Sequence, residues 1–131
     1  MSRIERFEDL IAWRKARTLA VRLYRVTGEG PFLRDPALRS QVRRSACSIM
    51  ANLAEGFERG KMTEFHQYVS TAKGSCAELR SHLYLASRVG YLQPSDLREL
   101  MKMATELGRI LGALRAAVAR KRQKPPGKQP P

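Results

Sequence analysis

Two histidines and two cysteines are the residues of this 131-residue chain best suited to metal or nucleophile chemistry, and their spacing supports neither. His66 and His82 stand sixteen positions apart in one helical pattern, with no cysteine or carboxylate at ligand spacing. A metal site needs several such donors converging, so both read as surface or satisfied histidines. Cys47 and Cys76 show no framework spacing and read as buried free thiols of a reducing cytosol. Glu55, Glu58, Glu64 and Glu78 are as readily explained by arginine partners, and no Glu-x-x-His pair of the di-iron bundles occurs. Gly28-Glu29-Gly30 follows a helical pattern rather than a strand, so it is no phosphate-binding loop. The expectation is a protein with no catalytic residues, no metal and no cofactor, hence not an enzyme.

Charge carries more information. Lys and Arg number 25 against 12 Asp and Glu, a net +13. Such an excess opposes compaction by self-repulsion unless an anion binds. Nucleic acid, RNA or DNA, is the commonest such partner; an anionic membrane and a merely solubilising charge are the alternatives. Residues 1–27 carry a net +4 and residues 94–131 a net +6. On the helical wheel Arg98, Lys102, Arg109 and Arg120 fall within about 40° of one another, opposite the apolar face. Arg14 and Arg25 lie similarly opposite the core of the first helical segment, flanked by Lys15 and Arg22. Solubilising faces mix signs, whereas these are nearly single-signed. With Lys121 and Arg122 they form the expected nucleic-acid-binding set, suited to phosphate contacts that read no sequence.

Four helical patterns must position these residues, and no strand pattern competes. The first runs from about Leu10 to Thr27 with Asp9 placed as N-cap, and Gly28 and Gly30-Pro31 end it. Asp35-Pro36 opens the second, a cap followed by proline at the first helical position, which runs to about Phe57. Beside its apolar face (Leu38, Val42, Ala46, Ile49, Leu53) lies a polar stripe of Gln41, Ser45, Ser48, Asn52 and Glu55. The stripe reads either as a solvated flank or as a hydrogen-bonded seam. The seam would draw on Arg43 or Arg44 and on Ser75 and Glu78 of the next helix. Gly56, Gly60 and Lys61-Met62-Thr63 mark a connection, with Thr63 as a cap for a third helix over about Glu64 to Gly90. The fourth follows Gln93-Pro94-Ser95 and runs to about Arg120.

Helices of 18 or more residues span about 27 Å, and short connections force antiparallel neighbours. The predicted fold is all-α: an antiparallel up-down-up-down four-helix bundle over residues 1–120, with a disordered basic Pro-rich tail at 121–131. Leu10, Val21 and Leu85 lie off the core faces on the wheel and are candidates for an oligomer interface. Met1 to Phe7 lacks the apolar run of a signal peptide, and no stretch approaches the roughly 20 apolar residues of a membrane span. A soluble, cytoplasmic protein is expected, with no membrane partner.

The stretch Ser45-Ala46-Cys47-Ser48-Ile49-Met50-Ala51-Asn52-Leu53-Ala54-Glu55-Gly56 resembles a four-helix-bundle family. That family includes proteins encoded in intervening sequences of bacterial 23S rRNA genes and the accessory variability determinant of diversity-generating retroelements. Phe7-Glu8-Asp9-Leu10 with Trp13 and Ala16, Gln41-Val42-Arg43-Arg44, Ala72-Lys73-Gly74-Ser75 with Glu78-Leu79, and Gly90-Tyr91-Leu92 fit as well. The likeness spans about residues 7 to 118, with Met50 standing where the pattern commonly has proline. It implies a homopentamer around a central channel. For the retroelement branch, which Leu107-Gly108-Arg109-Ile110-Leu111-Gly112 and the basic tail resemble, it also implies binding of nucleic acid and of a reverse transcriptase. The alternative implied by the intervening-sequence branch is a structural or interaction bundle with no retroelement role.

Overall fold

The computed structural model describes residues 4–122. The helices are α1 (Ile11–Thr27), α2 (Pro36–Glu58), α3 (Met62–Arg88) and α4 (Pro94–Arg122), with short 3-10 turns at Phe7–Asp9 and Gly30–Arg34. Among the described residues there is no strand. α1 packs on α2, α2 on α3, α3 on α4 and α4 on α1, while the diagonal pairs do not approach. This is the antiparallel four-helix bundle expected from the periodicity. α4 extends two residues into the expected tail; residues 123–131 of that tail lie outside the described residues.

The core runs the length of the bundle. Leu19, Leu23, Val42, Ile49, Leu53, Val69, Leu79, Leu83, Leu100, Leu107 and Leu111 are essentially sealed from solvent. These are the positions that a 3.6-residue period places on one face. Cys76 is buried among them, donating its thiol proton to the Ala104 carbonyl at 3.3 Å, and burial pushes the thiol's pKa up.

Turn chemistry fixes the ends. Asp35 caps α2 as expected, its Oδ1 accepting from the Leu38 N–H at 3.0 Å. Its Oδ2 accepts from the Tyr91 hydroxyl at 2.9 Å, and the Tyr91 ring stands edge-on to Phe32. One carboxylate thus ties the α1–α2 connection to the α3–α4 connection. The Leu38 N–H, then the Tyr91 hydroxyl, hold its pKa below the usual value. The stabilisation from this carboxylate is present above the unfolded pKa and fades as pH falls through the lowered folded one. Gly90 closes α3 at φ 85°, with Gly90 N–H on Ser87 O and Tyr91 N–H on Ala86 O. That pair of bonds is the Schellman arrangement, which requires the left-handed conformation glycine adopts freely.

Three local expectations are corrected. Asp9 does not cap α1: its Oδ2 accepts from the Glu5 and Arg6 N–H groups at 3.1 Å and closes the preceding turn, which pulls its pKa down. Leu10 is the N-cap residue instead, and that turn folds it into the core at 7% exposure, so it is no surface residue. Thr63 does not cap α3, which begins at Met62 behind Lys61. Gly56 lies inside α2 rather than in a connection. It is buried against Tyr68 of α3, the closest approach of the two helices that a glycine marks.

Candidate nucleic-acid interface

Arg98, Lys102, Arg109 and Arg120 of α4 are exposed, as are Arg25 of α1 and Lys121. None of them enters an ion pair among the described residues. The backbone of Arg122 ends α4. The other members of the expected set are engaged. Lys15 Nζ lies 3.1 Å from Glu106. Arg22 reaches Glu99 at 2.6 Å and Asp96 at 3.6 Å. Arg14 donates to the Glu8 carbonyl at 2.7 Å and stands 3.9 Å from Asp9. The α1–α4 groove is therefore mixed in sign, and of the expected set the outer side of α4 and Arg25 stay unpaired among the described residues. Counting charge by segment hides such pairs, because the acids of α4 face the bases of α1.

The polar stripe of α2 divides between seam and solvent. Ser48 and Ser75 share a hydroxyl hydrogen bond at 2.8 Å across the α2–α3 contact. Asn52 Nδ2 donates to the Ser48 carbonyl at 2.8 Å and to its hydroxyl at 3.0 Å. Buried Ser45 donates to the Gln41 carbonyl at 2.9 Å and reaches Glu78 Oε1 at 3.4 Å. Gln41 and Glu55 are exposed. Glu55 accepts from Arg59 at 2.9 Å and from the Tyr68 hydroxyl at 2.8 Å, and its pKa is lowered by Arg59 first and Tyr68 second. Asn52→Ala removes two bonds but leaves Ser48 its Ser75 partner. It is expected to destabilise the bundle by about 1–2 kcal/mol in urea denaturation; a change below about 0.5 kcal/mol would place Asn52 in solvent.

Arg43 and Arg44 do not serve that seam. Arg43 faces α1: its Nε donates to Thr27 Oγ1 at 2.8 Å, its NH2 donates to the Tyr24 carbonyl at 3.1 Å, and its guanidinium lies 4.2 Å over the Tyr24 ring. Arg44 is exposed. The expectation paired Arg43 or Arg44 with the seam, but at about 100° per residue Arg43 stands about 160° from the stripe's centre, on the flank that α1 covers. It also missed Arg17, whose guanidinium stacks 5.0 Å from the Trp13 ring centre. Cys47, expected to be buried, is exposed, with the Tyr24 hydroxyl 3.4 Å from its sulfur.

His82 is partly buried and its Nε2 lacks a hydrogen-bond partner among the described residues, where a surface or satisfied histidine was expected. Among the described residues no group of three or more His, Cys, Asp or Glu could hold a metal ion. Nor is any helix there long and apolar enough to cross a membrane. Val21 and Leu85 are exposed at 45% and 52%.

Comparison with known proteins places this geometry. A protein of unknown function from the S23 ribosomal protein family of Bacteroides thetaiotaomicron has a similar crystal structure. The two share 20% identity over 81% of this chain and 96% of that one, with a TM-score of 0.75, a likeness of fold. No curated protein matches. The model of the 23S rRNA-intervening sequence protein family matches residues 8–113, from the turn before α1 to the latter part of α4. The chain belongs to the 23S rRNA-intervening sequence protein family.

Proposed function

We propose that this chain is a non-catalytic interaction bundle of the intervening-sequence type that binds nucleic acid through the outer side of α4. The observation that carries this reading is the row Arg98, Lys102, Arg109 and Arg120, exposed and in no ion pair among the described residues of a chain of net +13. Lysine and arginine so placed gain affinity by displacing the counterions condensed on a phosphate backbone. The ion pairs of Lys15 and Arg22 are exposed ones worth about 0–1 kcal/mol each, so a polyanion can recruit those side chains too. Assistance to a reverse transcriptase rests on the likeness of Leu107 to Gly112 and of the basic tail, and nothing in the fold or the comparisons favours it.

Self-association belongs to the same proposal, with the pentamer taken from the family resemblance. Its physical support is a pair of unlike apolar grooves on opposite flanks of α2. One is lined by Ala20, Val21, Tyr24, Cys47 and Met50 together with Arg17 and Arg25, the other by Ala37, Leu38, Leu85 and Val89 together with Asp35, Gln41 and His82. Unlike patches on one chain suit head-to-tail contacts, which close into rings. Five copies would gather about 65 positive charges, a repulsion that salt screens faster than it weakens apolar contact.

A salt series tests both halves. Affinity for an RNA duplex should fall linearly on a log–log plot, with a slope of about −0.9 per phosphate contacted. Light scattering at the same salts should show one oligomer throughout. No detectable binding at low salt rejects the nucleic-acid reading, and a monomer under all conditions rejects the ring.

A further inference from the structure

An open depression of about 400 Å³ lies between Tyr24 of α1 and the first turns of α2, away from the α4 surface. Arg39, Ser40, Arg43, Arg44 and Cys47 line its α2 wall. At about 100° per residue these positions fall on one face of the helix. No carboxylate lines the depression, and none of the three arginines enters an ion pair among the described residues. Arg43 is immobilised there by Thr27, the Tyr24 carbonyl and the Tyr24 ring. Arg39 is partly buried, and its Nε is out of water without a hydrogen-bond partner. Arg44 and Ser40 are exposed.

Like charges one helical turn apart repel. Here three guanidinium-bearing side chains line one concave place, and a single oxyanion among them offsets that repulsion. The planar fork of arginine matches phosphate oxygens in pairs, and the Ser40 hydroxyl adds a donor of the kind that contacts phosphate. The setting differs from the outer side of α4, where cations stand along a convex helix with nothing to fix them.

We propose that this depression is a phosphate-binding site that takes a phosphate ester of a nucleic-acid strand, with Arg39 and Arg44 as ligands and Arg43 as the fixed cation beside them. The proposal rests on the nucleic-acid reading above for the source of the phosphate, and on the depression alone for the site.

The chain carries its own reporter. Cys47 is exposed at the depression and Cys76 is buried, so iodoacetamide, a neutral reagent, labels Cys47, and the labelling rate reads occupancy. The probes are orthophosphate, a short 5′-phosphorylated RNA and the same RNA with a 5′-hydroxyl, at one protein concentration and 0.1 M salt. Calorimetry with the same probes reads the affinities independently. The expected result is slowed labelling, with RNA affinity about fivefold weaker or more in Arg39→Gln/Arg44→Gln, the loss of one phosphate contact to a single strand at a slope of about −0.7. Protection by both RNAs assigns an internal phosphate and by the phosphorylated RNA alone a terminal one, and either supports the proposal. Protection by orthophosphate and by neither RNA makes the depression a free-anion site and overturns the nucleic-acid ester. Labelling and heats unchanged by all three probes, or protection that survives in the double variant, overturn it. Charge reversal at Arg98, Lys102 and Arg109 separates the two readings, because orthophosphate protection must persist there. If that reversal abolishes RNA binding while the double variant binds like the parent, the outer-face reading stands and this one falls.

Discussion

Arg98→Glu/Lys102→Glu/Arg109→Glu should weaken RNA-duplex binding by about five-hundredfold or more at 0.1 M salt. Each phosphate contact contributes a slope of about −0.9 in log affinity against log salt, so its loss there is worth nearly a factor of ten. Reversal adds repulsion to the loss of three contacts. The variant should also show a salt slope shallower by about 3. Folding should be nearly unaffected, within about 0.5 kcal/mol, because the three side chains are exposed and break no ion pair when changed. Lys15 and Arg22 would make a poorer test: reversing them would set them against Glu106 and Glu99 and strain the α1–α4 contact itself. Binding within twofold of the parent would remove the outer side of α4 from the interface. Loss of the oligomer together with binding would place these residues between subunits instead.

Gly56→Ala should destabilise the bundle by about 2–3 kcal/mol, the cost of overpacking a filled interior. A Cβ at Gly56 would stand 2.4 Å from Tyr68 Cβ, 3.0 Å from Tyr68 Cγ and 3.2 Å from Phe65 Cδ1. The nearest of these atoms is joined directly to the α3 backbone, so no rotamer change removes the clash. The helices must part, and the Tyr68 hydroxyl must then shift from Glu55 and Arg59. The intrinsic preference of a helix for alanine over glycine, about 1 kcal/mol, offsets only part of this. Gly74→Ala is the matched control. It lies in α3 with nothing within 4 Å of the added carbon, so it should stabilise the bundle by about 0.5–1 kcal/mol. Urea denaturation of the two variants should therefore shift in opposite directions. Equal shifts would mean that α2 and α3 do not approach at Gly56.

What the sequence made legible was whatever depends on one segment at a time. The four apolar periods, the Asp35-Pro36 start and the Gly90 stop all appear where the pattern put them, because each is a local matter of wheel angle or backbone conformation. What it concealed was which neighbour each residue meets. Gly56 looked like punctuation because glycine is common in connections, and only the facing Tyr68 shows why it is needed. Arg43 was grouped with the polar stripe by its nearness in sequence, yet on the wheel it stands about 160° from the stripe's centre, on the side that α1 covers. Leu10 was judged against an ideal helix, whereas the turn before α1 redirects it inward. Of the expected basic surface, the outer row on α4 remained open, while Lys15 and Arg22 proved to be paired with acids of another helix.

The Ser48–Ser75 bridge and the Gly56 approach tie together helices joined by only a few residues, whereas Arg22 and Glu99 meet from positions 77 apart. Closing a short loop costs less chain entropy than closing a long one, so the α2–α3 hairpin can form while the rest of the chain is still open. α1 and α4, from the two ends of the bundle's sequence, are expected to meet last, and exposed ion pairs of low individual worth bridge their contact. The bundle thus has an order of assembly written along it: a hairpin that condenses early and a flank that shuts late and opens first. In the Gly56→Ala variant that order places much of the lost stability in slower folding rather than faster unfolding.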